Sequence, residues 1–279
     1  MAKVKRQLKV AEKDAELPRT RRELFGRILK EDFYLIVDLS LVELLFSLPL
    51  AATLLTEYVF LINVEVTLEK VFPIVFYMGL ILIPCFGLKY VGRNACFSVM
   101  KKRVHNEGCF ITPQIVASIK QSGAKSLVNG LIAGLSAFIA AVGSVYLLFV
   151  AETFWKWTGV GVLILQFALC YGAAEYFCAG ENFYDLKFFA QWKNSFYFSV
   201  MSFPVTLLYF AATVGLKFVF SLFSVWLAMI VAAAYLLAFN GASVAAATLY
   251  AHHKFDIYIN RENYPEYVDK GLLKSDEVE

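Results

Sequence analysis

The sequence predicts an all-α membrane protein, a polytopic helical bundle of six transmembrane helices with two short cytoplasmic interfacial helices. Hydrophobic residues make up 59% of its 279 residues and charged residues only 18%, which is too apolar for an ordinary soluble domain. The apolar residues are grouped in segments of about 20 or more, the length that a helix needs to cross roughly 30 Å of hydrocarbon. Lys and Arg residues are also distributed unevenly among the connections, as in multi-pass membrane proteins.

Six segments satisfy the length and polarity that a membrane-spanning helix requires. The predicted spans are 33–56, 71–95, 126–150, 157–179, 195–217 and 219–249. They divide the chain into a basic tail at 1–30, a transmembrane domain at 31–250 and a second tail at 251–279. The first tail has no apolar core of its own, so it is read as a cytoplasmic tail and not as a secretory signal.

The distribution of Lys and Arg predicts the orientation of these spans. Of the 26 Lys and Arg residues, all but three lie in the two tails and in the second and fourth connections with their flanks. The three exceptions, Lys70, Lys156 and Lys217, lie one in each of the remaining connections. Because basic residues collect on the cytoplasmic side, we expect a plasma-membrane protein with both termini in the cytoplasm.

Two of the predicted cytoplasmic connections have the character of short helices on the membrane surface. In the segment around 110–125, Thr112 is a suitable N-cap and Gly123 can end the helix. In the segment 181–194, aromatic residues recur every fourth position: Tyr184, Phe188 and Trp192. Such stripes are typical of interfacial helices, although the same segments could instead pack beneath the bundle, and the two arrangements are compatible.

Two carboxylates, Asp38 and Glu43, lie inside the first predicted span. Counting from Phe33 at about 1.5 Å per residue, they are about 7 and 15 Å deep, so Glu43 is near the middle of the bilayer. Five residues at about 100° each separate them by roughly 140° around the helix, which excludes a carboxylate pair on one face. Lys89 and Arg93 of the second span have a depth similar to that of Asp38, and an ion pair with one of them is predicted.

Polar residues of several spans are predicted to share the inner half of the bundle. The candidate site residues are Asp38, Glu43, Lys89, Arg93, Glu175 and Asn240. One interpretation is a cavity open to the cytoplasm that binds a small polar ligand or the helix of a partner. The other is that the basic residues extend to the membrane surface, Asp38 pairs with one of them, and Glu43 is protonated between helices.

The sequence contains none of the common catalytic motifs. It has no phosphate-binding GxxxxGK[ST], no HExxH and no GxSxG, and its only histidines are His105, His252 and His253. We therefore expect a protein that is not an enzyme, with no catalytic residues, metal or cofactor; a lipid-modifying enzyme is the least favoured alternative. No nucleic-acid partner is expected, because topology and attraction to anionic lipid explain the basic tail.

A resemblance to one family extends over roughly residues 40–140. The stretches "LLFSLPLAATLL" and "IPCFGLKYVGRNACFSVMKKRVHNEGCFITPQIVASIKQSGAKSLVNGL" resemble the YesL family of bacterial integral membrane proteins, whose function is unknown. They share a Leu-Pro near the end of the first span, then a Pro and Tyr running into a basic stretch and a short helix. The resemblance implies a membrane protein often encoded beside carbohydrate-uptake systems, in an accessory or regulatory role without assigned catalytic residues.

Two functions are consistent with these observations. The first is an accessory or regulatory partner of a transport or signalling system, such as carbohydrate uptake, which contacts a membrane transporter or sensor protein through 110–125 and 181–194. The alternative is a small-molecule transporter or channel in which Glu43 is the titratable or ligand-binding residue and Asp38 and Lys89 form an inner gate. Six spans are few for a typical transporter, so this alternative favours a homo-oligomer.

Overall fold

A computed structural model describes residues 17–215 and 233–273 of the chain. Throughout these two ranges the regular structure is helical and no strand occurs, which confirms the all-α prediction. The helices, in chain order, are α1 (Arg21–Glu31), α2 (Phe33–Ile62), α3 (Leu68–Val104), α4 (Ile111–Val150), α5 (Thr153–Phe183), α6 (Phe188–Met201), α7 (Phe203–Phe210), α8 (Asn240–Phe255) and α9 (Arg261–Asn263). Three π-helical turns, Ala211–Gly215, Tyr235–Phe239 and Asp256–Asn260, adjoin α7, α8 and α9, and a 3-10 turn spans Pro265–Tyr267.

Helices α2 to α5 are each long and apolar enough to cross a membrane. They contain the first four predicted spans, and each helix is longer than the span predicted for it. A fifth crossing is present if α6 and α7 with its π turn form one broken span. The described residues therefore contain four or five potential spans, and part of the sixth predicted segment, 219–249, lies outside them.

The fifth predicted span, 195–217, is not a straight helix. The axes of α6 and of the segment Phe203–Gly215 meet at 92°. Pro204 lies in the first turn of α7, where its missing N–H leaves no helical hydrogen bond unmade, so it can begin a new helix but could not continue the old one. The proline thus explains why the apolar run is divided at this point.

The prediction of a separate interfacial helix around 110–125 is wrong. Helix α4 begins at Ile111 and continues to Val150 without interruption. Its first turns pack against α3, where Asn94 donates to the Ser122 hydroxyl at 2.8 Å and both side chains are buried. This packing outweighs the modest cost of about 1 kcal/mol that Gly123 adds inside a helix.

The second predicted interfacial helix, 181–194, is not one continuous helix in the structure. Its first three residues are the end of α5, the link 184–187 is not helical, and α6 begins only at Phe188. Lys125 of α4 ties this link to the bundle, because its ammonium pairs with Glu181 at 2.8 Å and donates to the Leu186 carbonyl at 3.2 Å. The two segments are therefore parts of the helical bundle and not two independent surface helices.

Helices α3 and α4 approach each other at the level of their backbones. An ideal Cβ placed on Gly130 would lie 2.5 Å from the Phe86 carbonyl oxygen and 2.7 Å from the Gly87 Cα. One turn later, a Cβ on Gly134 would lie 2.9 Å from the Ile83 Cα. The small-xxx-small spacing thus permits a helix contact that a larger residue would force apart.

The core lies toward one end of the bundle. The buried residues concentrate in the C-terminal halves of α3 and α5 and in α8. At the other end of the bundle, the side chains of α2 to α5 are largely exposed. Exposed apolar side chains on long helices are expected of surfaces that face lipid. The polar residues considered below lie within this buried end.

We predict that Gly130→Ala destabilises the protein by about 1–3 kcal/mol, because the added methyl group meets backbone atoms that cannot rotate away. Gly161→Ala is the matched control, since nothing lies within 4 Å of a Cβ at that helical position. The measurement is thermal unfolding of both variants in detergent. Equal melting temperatures for the two variants would contradict the close α3–α4 contact.

Candidate functional site

Arg93, on the C-terminal half of α3, is the centre of a buried charged network and is 1% exposed. One of its Nη1 protons is donated to the Glu43 carboxylate of α2 at 2.5 Å. Its Nη2 donates to Glu175 Oε2 of α5 at 2.8 Å, and its Nε lies 3.1 Å from both oxygens of the same carboxylate. One guanidinium therefore connects two carboxylates that belong to two other helices.

Two hydroxyl groups complete the environment of this guanidinium. Ser243 of α8 accepts from Arg93 Nη1 at 3.0 Å and donates to the Asn240 carbonyl at 2.7 Å. The Tyr209 hydroxyl of α7 accepts from Arg93 Nη2 and donates to Glu175 at 3.2 Å. All five N–H groups that a guanidinium carries thus have an acceptor. We call these five residues the Arg93 network: Glu43, Arg93, Glu175, Tyr209 and Ser243.

Lys89 lies one helical turn before Arg93 and is also buried. Across the part of the chain that the structure describes, no carboxylate approaches its ammonium within 4.0 Å. Its Nζ lies instead 5.5 to 5.7 Å from the ring centroids of Phe86, Tyr90 and Tyr171, within the range of cation–π attraction. Lys89 and Arg93 together balance the formal charges of Glu43 and Glu175.

The predicted ion pair between Asp38 and Lys89 or Arg93 is wrong. Asp38 is exposed and makes no ion pair within residues 17–215 and 233–273. Arg93 is level with Glu43, five residues further along α2 than Asp38, and Glu43 lies on the side of α2 that faces α3. The acid at the start of α2 that does pair is Asp32, whose carboxylate accepts from Arg103 Nε at 2.6 Å.

The structure therefore brings only four of the six predicted site residues together. Glu43, Arg93 and Glu175 are in direct contact, and Lys89 is next to them. Asn240 is half-buried and contributes its backbone carbonyl to Ser243. Tyr209 and Ser243 were not predicted, because a tyrosine and a serine in apolar segments carry no sequence signal that separates them from ordinary packing residues.

A groove adjoins the Arg93 network on one side. It has a volume of about 280 Å³ and lies between α5, α7 and α8. Two members of the Arg93 network, Glu175 and Tyr209, also line this groove. The remaining lining residues are small or aromatic, which makes the surface mostly apolar. We call this space the tyrosine groove, after its lining residues Tyr176, Tyr209 and Tyr250.

A second polar cluster joins the segments near the two ends of the described chain. Arg21 of α1 pairs with Asp256, donates to His252 Nδ1 at 2.6 Å and lies 3.4 Å from Asp269. The His105 ring packs against the His252 ring, with centroids 5.1 Å apart. We call these residues the terminal clasp: Arg21, His105, His252, Asp256 and Asp269. The clasp fastens α1 and the segment after α8 to the end of α3.

Burial lowers the pKa of both clasp histidines to about 3, and nearby positive charges act in the same direction. For His105, a proton on the neighbouring His252 would act in this direction, as Lys270 and Lys101 do, while Glu107 opposes them. For His252 the nearest is Arg21. Both imidazoles are therefore neutral in the folded clasp at neutral and mildly acidic pH.

The chain matches no protein-family model, no curated protein and no solved structure. The resemblance to the YesL family therefore stays a prediction. Within the described residues no group of three or more His, Cys, Asp or Glu side chains is arranged to hold a metal ion. The arrangement places two buried carboxylates, Glu43 and Glu175, around a single guanidinium.

We predict that the terminal clasp loosens as the pH falls from 7.5 to 5. In the released clasp the histidines regain a pKa near 6.5, whereas in the folded clasp the pKa is about 3. The released form therefore binds more protons below about pH 6.5, and the stability of the clasp decreases progressively toward pH 3. Hydrogen exchange of residues 256–273, corrected for intrinsic rates, measures the effect.

The control is His252→Asn, which removes one titrating group and should reduce the pH dependence. Residues of α4, such as Gly134 and its neighbours, should keep their protection over the same range. Unchanged protection of 256–273 between pH 7.5 and 5 would contradict the assignment of neutral buried histidines to the clasp.

Proposed function

We propose that the protein is a small-molecule transporter of the plasma membrane, with six spans and both termini in the cytoplasm. The Arg93 network is its binding centre. The observation that carries this proposal is a buried group of charges, centred on the fully hydrogen-bonded guanidinium of Arg93, that lies beside irregular helices. Charged residues inside a membrane bundle are expensive to place, and they commonly mark the path of an ion or substrate.

Irregular helix geometry adjoins the network on two sides. Tyr209 lies two residues before the π turn Ala211–Gly215, and Ser243 lies four residues after the π turn Tyr235–Phe239. The 92° break precedes the same α7 that carries Tyr209. Discontinuous helices form the substrate sites of many transporters, and π turns are frequent at functional sites. This geometry supports a site that changes shape more readily than a bundle of straight helices.

The network couples the charge of two carboxylates to the position of these segments. If Glu43 or Glu175 accepts a proton or a cation, its hydrogen bonds with Arg93 weaken. Arg93 would then change its other contacts, which include Tyr209 and Ser243. Ligand binding at the carboxylates would in this way move α7 and α8 relative to α3, as transport requires. A purely structural network would not show this coupling.

Glu43→Gln should abolish transport in vesicles of phosphatidylethanolamine and phosphatidylglycerol. The carboxamide cannot carry the charge that holds Arg93, so binding is no longer coupled to the network. Currents are recorded on solid-supported membranes during rapid exchange into solutions of organic amines, amino acids, organic acids and sugar phosphates. The wild type should give a current with at least one of these classes.

Asp38→Asn is the matched control, because it makes the same chemical change on an exposed residue of the same helix. It should transport like the wild type. If wild-type vesicles give no current with any class, or if Glu43→Gln transports as well as Asp38→Asn, the transporter proposal fails.

An accessory role is the second candidate, and one observation favours it. Phe110, which directly precedes α4, is 84% exposed. Phe189, in the first turn of α6, is 85% exposed. They lie within the two segments, 110–125 and 181–194, that Lys125 connects. Large exposed aromatic residues near a membrane surface are typical both of protein contacts and of anchoring in the lipid headgroup region.

Native mass spectrometry of the protein released gently from its own membranes tests this role. The accessory proposal predicts a stoichiometric protein partner, which the double variant Phe110→Ser/Phe189→Ser should lose. Tyr146→Ser, an exposed residue near the opposite end of α4, is the control and should keep the partner. A bare protein or a homo-oligomer would count against the accessory role.

A further inference from the structure

The tyrosine groove has features of a ligand site that the Arg93 network alone does not explain. It measures about 280 Å³ and lies between α5, α7 and α8. Small residues of α8, Ala246 and Ala247, leave the space open, and the rings of Tyr176 and Tyr250 contribute to its walls. Such a space is wide enough for a small aromatic molecule.

The groove contains a carboxylate with unused capacity to accept hydrogen bonds. Glu175 is a lining residue, and its Oε2 accepts from Arg93 Nη2 and from the Tyr209 hydroxyl. Its Oε1 has only the Arg93 Nε proton, which it shares with Oε2 at the same 3.1 Å. A carboxylate oxygen can accept two hydrogen bonds, so Oε1 has room for a further donor.

A second group in the groove lacks a partner. Tyr176 is 7% exposed, and its buried hydroxyl lies near the hydroxyls of Ser202 and Tyr250 without making a hydrogen bond of normal geometry. A buried hydroxyl without a well-formed hydrogen bond is destabilising, so a donor that reaches it is favoured. Tyr176 directly follows Glu175 in the chain, and both line the groove. Tyr176 therefore places a buried hydroxyl oxygen in the wall of the groove, and a ligand reaches this oxygen if the side chain rotates toward the space.

The sign of the ligand charge follows from the network. Arg93 does not line the groove, and all five of its N–H groups are already donated to acceptors in the network. Lys89 is likewise not a lining residue. An anion would thus meet Glu175 without a cationic donor, whereas a cation would meet a carboxylate and the electron-rich faces of tyrosine rings.

We propose that the tyrosine groove binds an aryl-alkyl primary ammonium ion. The ammonium donates to Glu175 and to the Tyr176 hydroxyl, and the aromatic ring of the ligand occupies the apolar space beside Ala246 and Ala247. This inference rests on the proposed transport function and specifies the class of substrate. It requires no change in the five contacts of Arg93 for initial binding.

The test is calorimetric titration of the detergent-solubilised full chain with three probes of similar shape. They are 2-phenylethylammonium, the neutral 2-phenylethanol and the anionic phenylacetate. The first should bind at least about tenfold more tightly than the other two, because only it forms charge-assisted hydrogen bonds with Glu175. Equal binding of all three, or a preference for phenylacetate, would overturn the proposal.

Variants distinguish the groove from binding to the micelle or elsewhere on the protein. Ala246→Phe fills the groove while every network residue is retained, and it should abolish binding. Tyr176→Phe removes only the unpartnered hydroxyl and should weaken binding several-fold. Val162→Phe, on the exposed surface of α5, is the control and should bind as the wild type does. Undiminished binding to Ala246→Phe would overturn the assignment to the groove.

Uptake of radiolabelled 2-phenylethylammonium into vesicles separates this inference from the transport proposal. Binding without uptake would support the site and contradict transport. Currents with another class of organic ion, together with no binding of 2-phenylethylammonium, would support transport and contradict the assigned substrate class.

Discussion

The need to satisfy one buried guanidinium dominates the buried end of this bundle. An ionised side chain taken out of water is strongly destabilising unless opposite charges and hydrogen bonds replace its hydration. Arg93 obtains these from Glu43 of α2, Glu175 of α5, Tyr209 of α7 and Ser243 of α8. Five helices must therefore meet at one point for the charge to be tolerated, and their relative positions at this end are restricted accordingly.

The broken helices follow from the same constraint. Tyr209 can reach the guanidinium because α7 leaves α6 at 92°, a direction that Pro204 makes available. Ser243 lies in the first turn of α8, close to another irregular turn. Regular straight helices would align their polar residues only along one face. Irregular segments instead bring single hydroxyl groups to a site from helices that are otherwise apolar. They also allow that site to rearrange.

Part of this arrangement could be predicted from the sequence. Counting along the helices predicted that Glu43, Arg93 and Glu175 share the inner half of the bundle, but it placed Asp38, and not Glu43, level with Arg93. Direction around the helix depends on which neighbours pack where, and for both reasons Asp38 was paired incorrectly. Packing also overrode the local helix-stop signal at Gly123. The contribution of Tyr209 depends on the bend before α7, which a search for straight apolar spans cannot detect.

Because the guanidinium and this carboxylate replace each other's hydration, Arg93 and Glu175 act as one energetic unit. A double-mutant cycle tests it most directly, with Arg93→Met, Glu175→Gln and the combined variant compared by their free energies of unfolding in detergent. Each single change leaves a buried polar or charged group without its partner, and the combined change relieves part of that penalty. We predict a coupling energy above about 1 kcal/mol, whereas additivity within about 0.3–0.5 kcal/mol would contradict this energetic unit.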